Sequence, residues 1–424
     1  MEAWEAHRPG TDHAATPRPL DRMEGSTALP RNSHDEFFST RPWSSVSLFW
    51  RAVLANGAMN FSWLSGDDEY GFCRISELAA VAAESGEFGS ADVKYSRRRT
   101  FCLRVGYRGE AYHGYQRQAQ GILTVEEDLK LCLSPLHDGG TIAAGRTDKD
   151  VSALSQVVCF STFAEITSEQ ILDAFRSSEP CREERLAVFE CHRVPRRMHP
   201  IFCALWRRYT YLMPLNMPHD IDTQFVHAAL QPLVGATLHF RAYAYGEIPV
   251  NEDGEPDDLC TIYRASAIVV NLDAAGEASP ALCITLVGNR FLRRQVRNMV
   301  ATVCREAALP ESERDVNRLV AIANAGRRLL AAFPVPGVGL ALTGVGYDAK
   351  SLDYRCKVPT QQQAFPKEAA KRATTSVRLA RKGRKSRHAA EHQEDAAEHR
   401  EDAAEHREDA TEHQEDATEH QVDA

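Results

Sequence analysis

The chain reads as an α+β protein on three observations. Short segments of strand-like alternation follow one another closely enough to pair as hairpins. Helical periodicities lie between them. Their order is mixed rather than a strict strand–helix repeat, which argues for a largely antiparallel sheet with helices against it. The 424 residues leave room for two or three domains, and an apolar fraction of 43% is ordinary for a globular core.

Residues 1–35 are rich in Pro, Gly, His and Thr and are expected to be disordered. Glu2, Glu5, Asp12 and Asp21 set them apart from an acid-poor transit peptide. Residues 43–64 predict a helix, with Val46, Phe49, Trp50, Val53 and Leu54 as its apolar positions and Ser44 and Ser45 near its start. Residues 75–83 predict a second, shorter helix. A strand is expected over 101–107, then a helix over 124–133, whose Glu126 and Glu127 suit the positive end of the helix dipole. Val157 to Phe160 is an apolar, strand-like run. Further strands are expected at 187–194 and 208–212, and a pair at 262–272 and 281–286 around a turn at Gly276. A helix over 295–307 and a strand over 338–347 complete the body. Val250 to Asp258 reads as an acidic surface loop. Gly337, Gly339, Gly344 and Gly346 have the wrong spacing for a nucleotide-binding fingerprint and are expected as small residues in a packed strand. The resulting division is an extension at 1–98, which packs on the body or serves a partner, two halves of one body at 99–213 and 214–350, a basic linker at 351–390 and a tail at 391–424.

The net charge of −9 hides an asymmetry. Residues 391–424 carry fourteen acids against two arginines, a local charge of −12, so the other 390 residues stand at +3. A mildly basic body with clustered arginines suits a partner with a phosphate backbone. Residues 367–387 hold nine basic residues, suited to a nuclear signal or an RNA-contacting arm. The tail repeats every seven residues from Glu391, Glu398, Glu405, Glu412 and Glu419, without the apolar seam of a coiled coil, and reads as solvated. Eleven scattered cysteines without a C-x-x-C argue against a disulfide framework or zinc site and for a reducing, intracellular compartment, cytoplasm or nucleus before organelle. No apolar run approaches the length of a membrane span.

The chemistry concentrates in AAGRTDKDVSALSQVVCF, residues 143–160. Asp148 lies between Arg146 and Thr147 on one side and Lys149 on the other, ahead of an apolar strand. A neighbouring arginine favours the ionised carboxylate that nucleophilic work needs. Three more stretches stand out: Val105 to Gln118 (VGYRGEAYHGYQRQ), Arg207 to Tyr211 (RRYTY) and Gly288 to Val300 (GNRFLRRQVRNMV).

Together, in this order, the four stretches resemble the motifs of the tRNA pseudouridine synthase A family, over roughly residues 100–350. The resemblance implies the pseudouridine synthase fold: a mixed, mostly antiparallel sheet flanked by helices, in two like halves around a central cleft. It implies isomerisation of uridine to pseudouridine in tRNA, in the anticodon stem-loop, with no metal and no cofactor. It assigns Asp148 to the sugar, as nucleophile or as stabiliser and base. Arg297 becomes the partner of that carboxylate, and Tyr209 the ring that stacks on the target base and accepts the C5 proton. Arg146 takes the place left by the flipped nucleotide. Extruding a base costs a few kcal/mol, so a planar cation suits that place. Arg290, Arg293 and Arg294 are expected at phosphates and Tyr115 at the RNA. Bacterial members pair as dimers, and a homodimer is carried over from them. One departure bears on activity: Asp150 stands where the family usually has glycine, at a position suited to positive φ. The alternative from another class is a catalytically idle RNA-binding or ribosome-assembly factor on the same scaffold.

Overall fold

A computed structural model describes residues 36–56, 62–65, 75–84, 98–119, 121–216, 221–250, 254–272 and 279–347. All of them fall within one unit, Met1–Arg355. The expected turn at Gly276, the N-terminal 1–35, the basic linker from 351 and the acidic tail lie outside the described residues.

Every helix and strand expected from the sequence is present, several with longer bounds. Helices α1 (Trp43–Asn56), α2 (Ser62–Ser65) and α3 (Ile75–Glu84) come first. Of the single helix expected over 43–64, α1 and α2 are the described parts, and residues 57–61 lie outside the described residues. There follow β1 (Arg99–Tyr107), α4 (Val125–Leu133), β2 (Ile142–Ala143), β3 (Ser152–Thr162), α5 (Ser168–Ser177), α6 (Glu179–Arg182), β4 (Leu186–Val194) and β5 (Trp206–Pro214). The second half runs α7 (Thr223–Leu230), β6 (Thr237–His239), β7 (Leu259–Asn271), β8 (Pro280–Gly288), α8 (Gln295–Ala307), α9 (Arg318–Ala325) and β9 (Leu340–Gly346). Sequence reading missed α5 and α7, although both carry a start signal. Thr167 and Gln170 form a reciprocal capping box on α5, and Asp222 accepts from the Phe225 N–H at the start of α7.

Among the described residues nine strands make one sheet in the order β4-β1-β3-β9-β5-β8-β7-β6, with β2 pairing β3 off that path. Every ladder between neighbours is antiparallel except a short parallel seam, where Ser152 and Ala153 of β3 meet Ala341 and Leu342 of β9. The seam divides β4-β1-β3 from β9-β5-β8-β7-β6, so β5, from the end of the expected first half, lies on the side of the sheet formed by the strands of the second.

Alternation along β5 decides what each face meets. Tyr211 and Met213 join α7, α8 and α9 in one core, while Leu212 joins Val46, Phe49, Trp50, Val53 and Leu54 of α1 in another. The extension therefore packs on the body: α1 covers the sheet face opposite α8. The Trp50 indole N–H donates to Val338 O at 3.1 Å. Arg208, 4% exposed, donates to Leu64 O and to Thr343 Oγ1, and burial brings its pKa down to about 10. A third cluster gathers α4, α5, β1, β3 and β4.

The glycines of β9 and its approach are packing residues, as expected. A Cβ on Gly346 would meet the Trp206 indole at 2.0 Å, and one on Gly337 would meet Lys149 O at 2.5 Å. The acidic stretch ending at Asp258 is not wholly a surface loop. Asp258 is fully buried because its carboxylate accepts from Arg241 Nε at 2.6 Å and lies 2.6 Å from His239 Nδ1. No described helix is long and apolar enough to cross a membrane.

Candidate functional site

The Asp148 loop is held from beneath. Ala144 N–H donates to Val157 O at 2.8 Å, so the chain leaves β2 running back along β3. Gln156, fully buried, donates to Gly145 O at 2.6 Å and to the Tyr107 hydroxyl at 3.3 Å. That hydroxyl lies 2.9 Å from Thr147 Oγ1, and burial pushes the Tyr107 phenol up to about 12. Thr147 O accepts from Tyr115 N–H at 3.0 Å, and Asp148 O accepts from Val151 N–H at 3.2 Å. Gly114 takes φ 101° where its backbone passes against residues 147–149. With its neighbours fixed on both sides, Asp148 has little freedom to leave its direction.

Asp150 adopts φ 64°, the positive value expected at a position where glycine is usual. It is half-buried, and burial raises its carboxyl pKa above the usual 3.8, against the opposing pull of Lys149, Arg297 and His113. A raised folded pKa makes the ionised form a cost to the fold. The group's contribution to stability is full below the unfolded pKa and is lost as pH rises through the folded one. Asp150→Asn keeps a residue that tolerates positive φ and removes the charge. It should raise Tm at pH 7 by about 2 °C, with the gain vanishing near pH 4. Thermal melts at both values check this, and an equal gain at both would trace it to the backbone.

Across the loop, α8 supplies Arg297. Its Nη1 stands 3.6 Å from Asp148 Oδ2, with the two side chains 14% and 27% exposed. Its Nε donates to Val335 O at 2.7 Å, which fixes the guanidinium from the segment leading into β9. Burial lowers the Arg297 pKa and the Asp148 carboxylate opposes that shift. Tyr209 projects from β5 between the cores of the two halves, edge-on to Phe291 with ring centroids 5.3 Å apart. Its hydroxyl is 3.8 Å from the place a Cβ would take on Gly145. Burial raises the Tyr209 pKa, with Tyr107 and Asp148 adding to it against Arg207. Tyr209 is therefore a neutral phenol at physiological pH. A neutral phenol supplies a ring face and a weakly basic oxygen rather than a phenoxide.

The structure thus brings Asp148, Arg297 and Tyr209 together from a loop, a helix and a strand in different parts of the chain. It distributes the five residues expected at RNA differently. Arg146 is exposed beside Asp148. Arg293 and Arg294 precede α8, their guanidinium carbons 4.9 and 3.9 Å from the Tyr245 ring centroid, and Arg294 takes φ 59°. Arg290 is committed within the chain, donating to the Asp257 carboxylate and to Asp257 O. Tyr115 is only 4% exposed, packed with Tyr107 in the core of the first half. That corrects its expected place at the RNA: its loop turns inward to hold Thr147, so the ring follows into the core.

Arg207 opens the RRYTY stretch but was given no role of its own by the sequence, where Tyr209 took the attention. It donates to Asn289 O, Ala144 O and Ile201 O at 2.8, 3.3 and 2.9 Å, binding the Asp148 loop to the α8 approach and to the loop before β5. Burial lowers its pKa, with Tyr347 and Tyr209 opposing.

Comparison with known proteins finds relatives over the body of the chain. A family model described as tRNA pseudouridine synthase matches residues 253–348, a span that includes α8 and β9. The chain is 30% identical over 266 residues to the tRNA pseudouridine synthase A of Anoxybacillus flavithermus, covering 59% of this chain and 99% of that protein. It is 28% identical over 272 residues to that of Chlorobium luteolum (61% and 98%) and 28% over 260 residues to that of Streptococcus pneumoniae (58% and 97%).

Proposed function

The chain belongs to the tRNA pseudouridine synthase A family, and from that premise we infer that it isomerises uridine to pseudouridine in tRNA, with Asp148 as its catalytic carboxylate. The observation that carries the residue assignment is the Asp148–Arg297 pair, 3.6 Å apart across two elements that meet only in the folded chain.

The isomerisation breaks the N1–C1′ bond, rotates the base and joins C5 to C1′. One proton leaves C5 and one is gained at N1, so atoms and electrons balance without a redox partner. Asp148 faces the sugar in this reading, whether it adds to C1′ or acts there as stabiliser and base, since both roles need one ionised, aimed carboxylate. Arg297, 3.6 Å away, holds its direction. Tyr209 forms the wall on which the base stacks. As a neutral phenol, it takes up the C5 proton only if its own proton moves on in the same step. Arg146, exposed next to Asp148, fills the stack behind the extruded nucleotide. Arg293 and Arg294, braced on Tyr245, meet phosphates. We place the target in the anticodon stem-loop, the compartment inside the cell, and the working form as a homodimer.

The idle-scaffold alternative rested on Asp150, on the unmatched first hundred residues and on the tail; only the first of these bears on the site itself. That residue adopts φ 64° without displacing Asp148 from Arg297, and this favours the enzyme. The test is pseudouridine-specific chemical mapping of RNA from cells with and without the protein. The expected result is loss of signal at defined anticodon-arm uridines. Loss confined to ribosomal or messenger RNA overturns the substrate. No loss anywhere, with an RNA-processing defect in its place, supports the idle scaffold.

A further inference from the structure

We propose that Cys132 and Cys181 are a modification site, a thiol pair that a peroxide converts to a reversible disulfide. The inference does not depend on the activity above. Cys132 lies near the end of α4 and Cys181 on α6, and both belong to the apolar cluster of the first half. Their side chains hydrogen-bond to each other. The Cys132 thiol also donates to Ser178 Oγ at 3.1 Å, and Ser178 is the residue that opens α6. The Ser178 hydroxyl donates in turn to Phe175 O at 2.6 Å.

The surrounding frame keeps the two thiols together. Asp128, one turn before Cys132 on α4, accepts from Arg185 Nε and from the Tyr112 hydroxyl, both at 2.7 Å. Arg185 N–H donates to Pro180 O at 3.1 Å, so the cation that holds α4 is itself tied to α6. From hydrogen-bond contact, the sulfurs have only to close to the disulfide length of about 2.0 Å. The start of α4 holds the neighbours of the catalytic loop. Val125 N–H donates to Gly114 O at 3.3 Å and Glu126 N–H to Tyr115 O at 3.0 Å. A bond at Cys132 fastens the other end of that helix.

Access and reactivity single out Cys181. Among the described residues eight cysteines are buried, and Cys181 is partly exposed. It lines an open pocket of about 330 Å³ together with Leu54, Glu184, Leu186 and Val188, room enough for a peroxide. The hydrogen bond from Cys132 brings the Cys181 thiol pKa down against the pull of burial, which favours the reactive thiolate. The same bond and burial push Cys132 up, so that thiol keeps its proton. Burial pushes Cys191, Cys260 and Cys283 up to about 12. The two roles follow. The Cys181 thiolate attacks one oxygen of hydrogen peroxide, the O–O bond breaks, and a sulfenic acid forms as hydroxide leaves and takes up a proton. Cys132 then attacks the Cys181 sulfur, and the sulfenic oxygen leaves as water with the Cys132 proton. Two thiols and one hydrogen peroxide give one disulfide and two waters, with two electrons passing to the peroxide. A transient disulfide of this kind is compatible with a reducing compartment.

The experiment takes the full-length chain, reduced and then freed of reductant, through graded doses of hydrogen peroxide. Remaining thiols are alkylated, and the peptides are mapped by mass spectrometry. The expected result is a linked Cys132–Cys181 peptide that forms at a lower dose than oxidation of any other cysteine and disappears with dithiothreitol. The oxidised chain should melt about 5 °C above the reduced one, the scale of one added cross-link. In Cys132→Ala, Cys181 should be trapped as a sulfenic acid by a dimedone-type reagent, and the gain in Tm should vanish. In Cys181→Ser, Cys132 should stay alkylatable at the same dose. The peptide map of the parent decides the matter even where a variant fails to fold. Cys181 carried on to sulfinic acid while Cys132 stays free overturns the pair. So does a dose that oxidises other cysteines first, or one that leaves both thiols open to alkylation.

Discussion

Asp148→Ala should lower pseudouridine formation by at least about 10⁴-fold, the upper end of what one positioned acid–base group contributes, and leave the Kd for tRNA nearly unchanged. The side chain is 27% exposed and its ion pair with Arg297 is long, at 3.6 Å, so removing it opens no large cavity and breaks no tight hydrogen bond. The loop's shape rests on the backbone bonds of Thr147, Gly145 and Val151 and on Tyr107 and Gln156, none of which uses the Asp148 carboxylate. Asp148→Asn should be as inactive as Ala despite its near-identical shape, because an amide is neither an anion nor a useful nucleophile. Single-turnover conversion of an unmodified transcript, with affinity measured alongside, decides the matter. If affinity fell in step with activity, Asp148 would be a structural residue of the loop.

Arg297→Ala should lower the single-turnover rate by about 10²- to 10³-fold, the scale seen when one preorganised electrostatic group is removed from an active site. Two effects add. The carboxylate loses its facing cation, and the Val335 carbonyl loses the Nε donor that ties the approach to β9 against α8. Arg297→Lys retains a positive charge but cannot reproduce the forked geometry that serves Asp148 and Val335 together, so it should recover only part of the rate. Melting temperature should fall modestly in both, since a buried carbonyl without its donor costs about 1–3 kcal/mol. A Lys variant with full activity would mean that charge alone suffices and that the Val335 bond is incidental.

The sequence carried most of the fold because its signals are local. Alternation over 101–107 and 281–286, the apolar stripe of 295–307 and the acids opening 124–133 each reflect one element's own geometry, and β1, β8, α8 and α4 form where those patterns lie. The ordered motifs likewise named the three residues now found together. What they could not convey was which aromatic or arginine faces solvent. Tyr115 and Phe202 are both aromatic, both in loops and both near the catalytic strand. Tyr115 is buried because its backbone holds Thr147, and Phe202 is exposed because His199 and Arg207 hold its loop outward. Arg290 and Arg294 are four residues apart with identical side chains. The first is taken by Asp257, from an acidic stretch more than thirty positions away, while the second lies over Tyr245.

By itself, then, the amino-acid sequence determined the α+β elements, the order of the four motifs and the carboxylate on which the chemistry depends, since each is set by period, caps or residue type within a short window. The tertiary structure alone decided that α1 closes the far face of the sheet, that Asp258 is buried and Tyr115 is core, and that Arg290 is taken by Asp257. The physical reason is that burial and ion pairing depend on which distant segments the β3–β9 seam and the β5 ladders bring side by side, and no window of the sequence contains both partners.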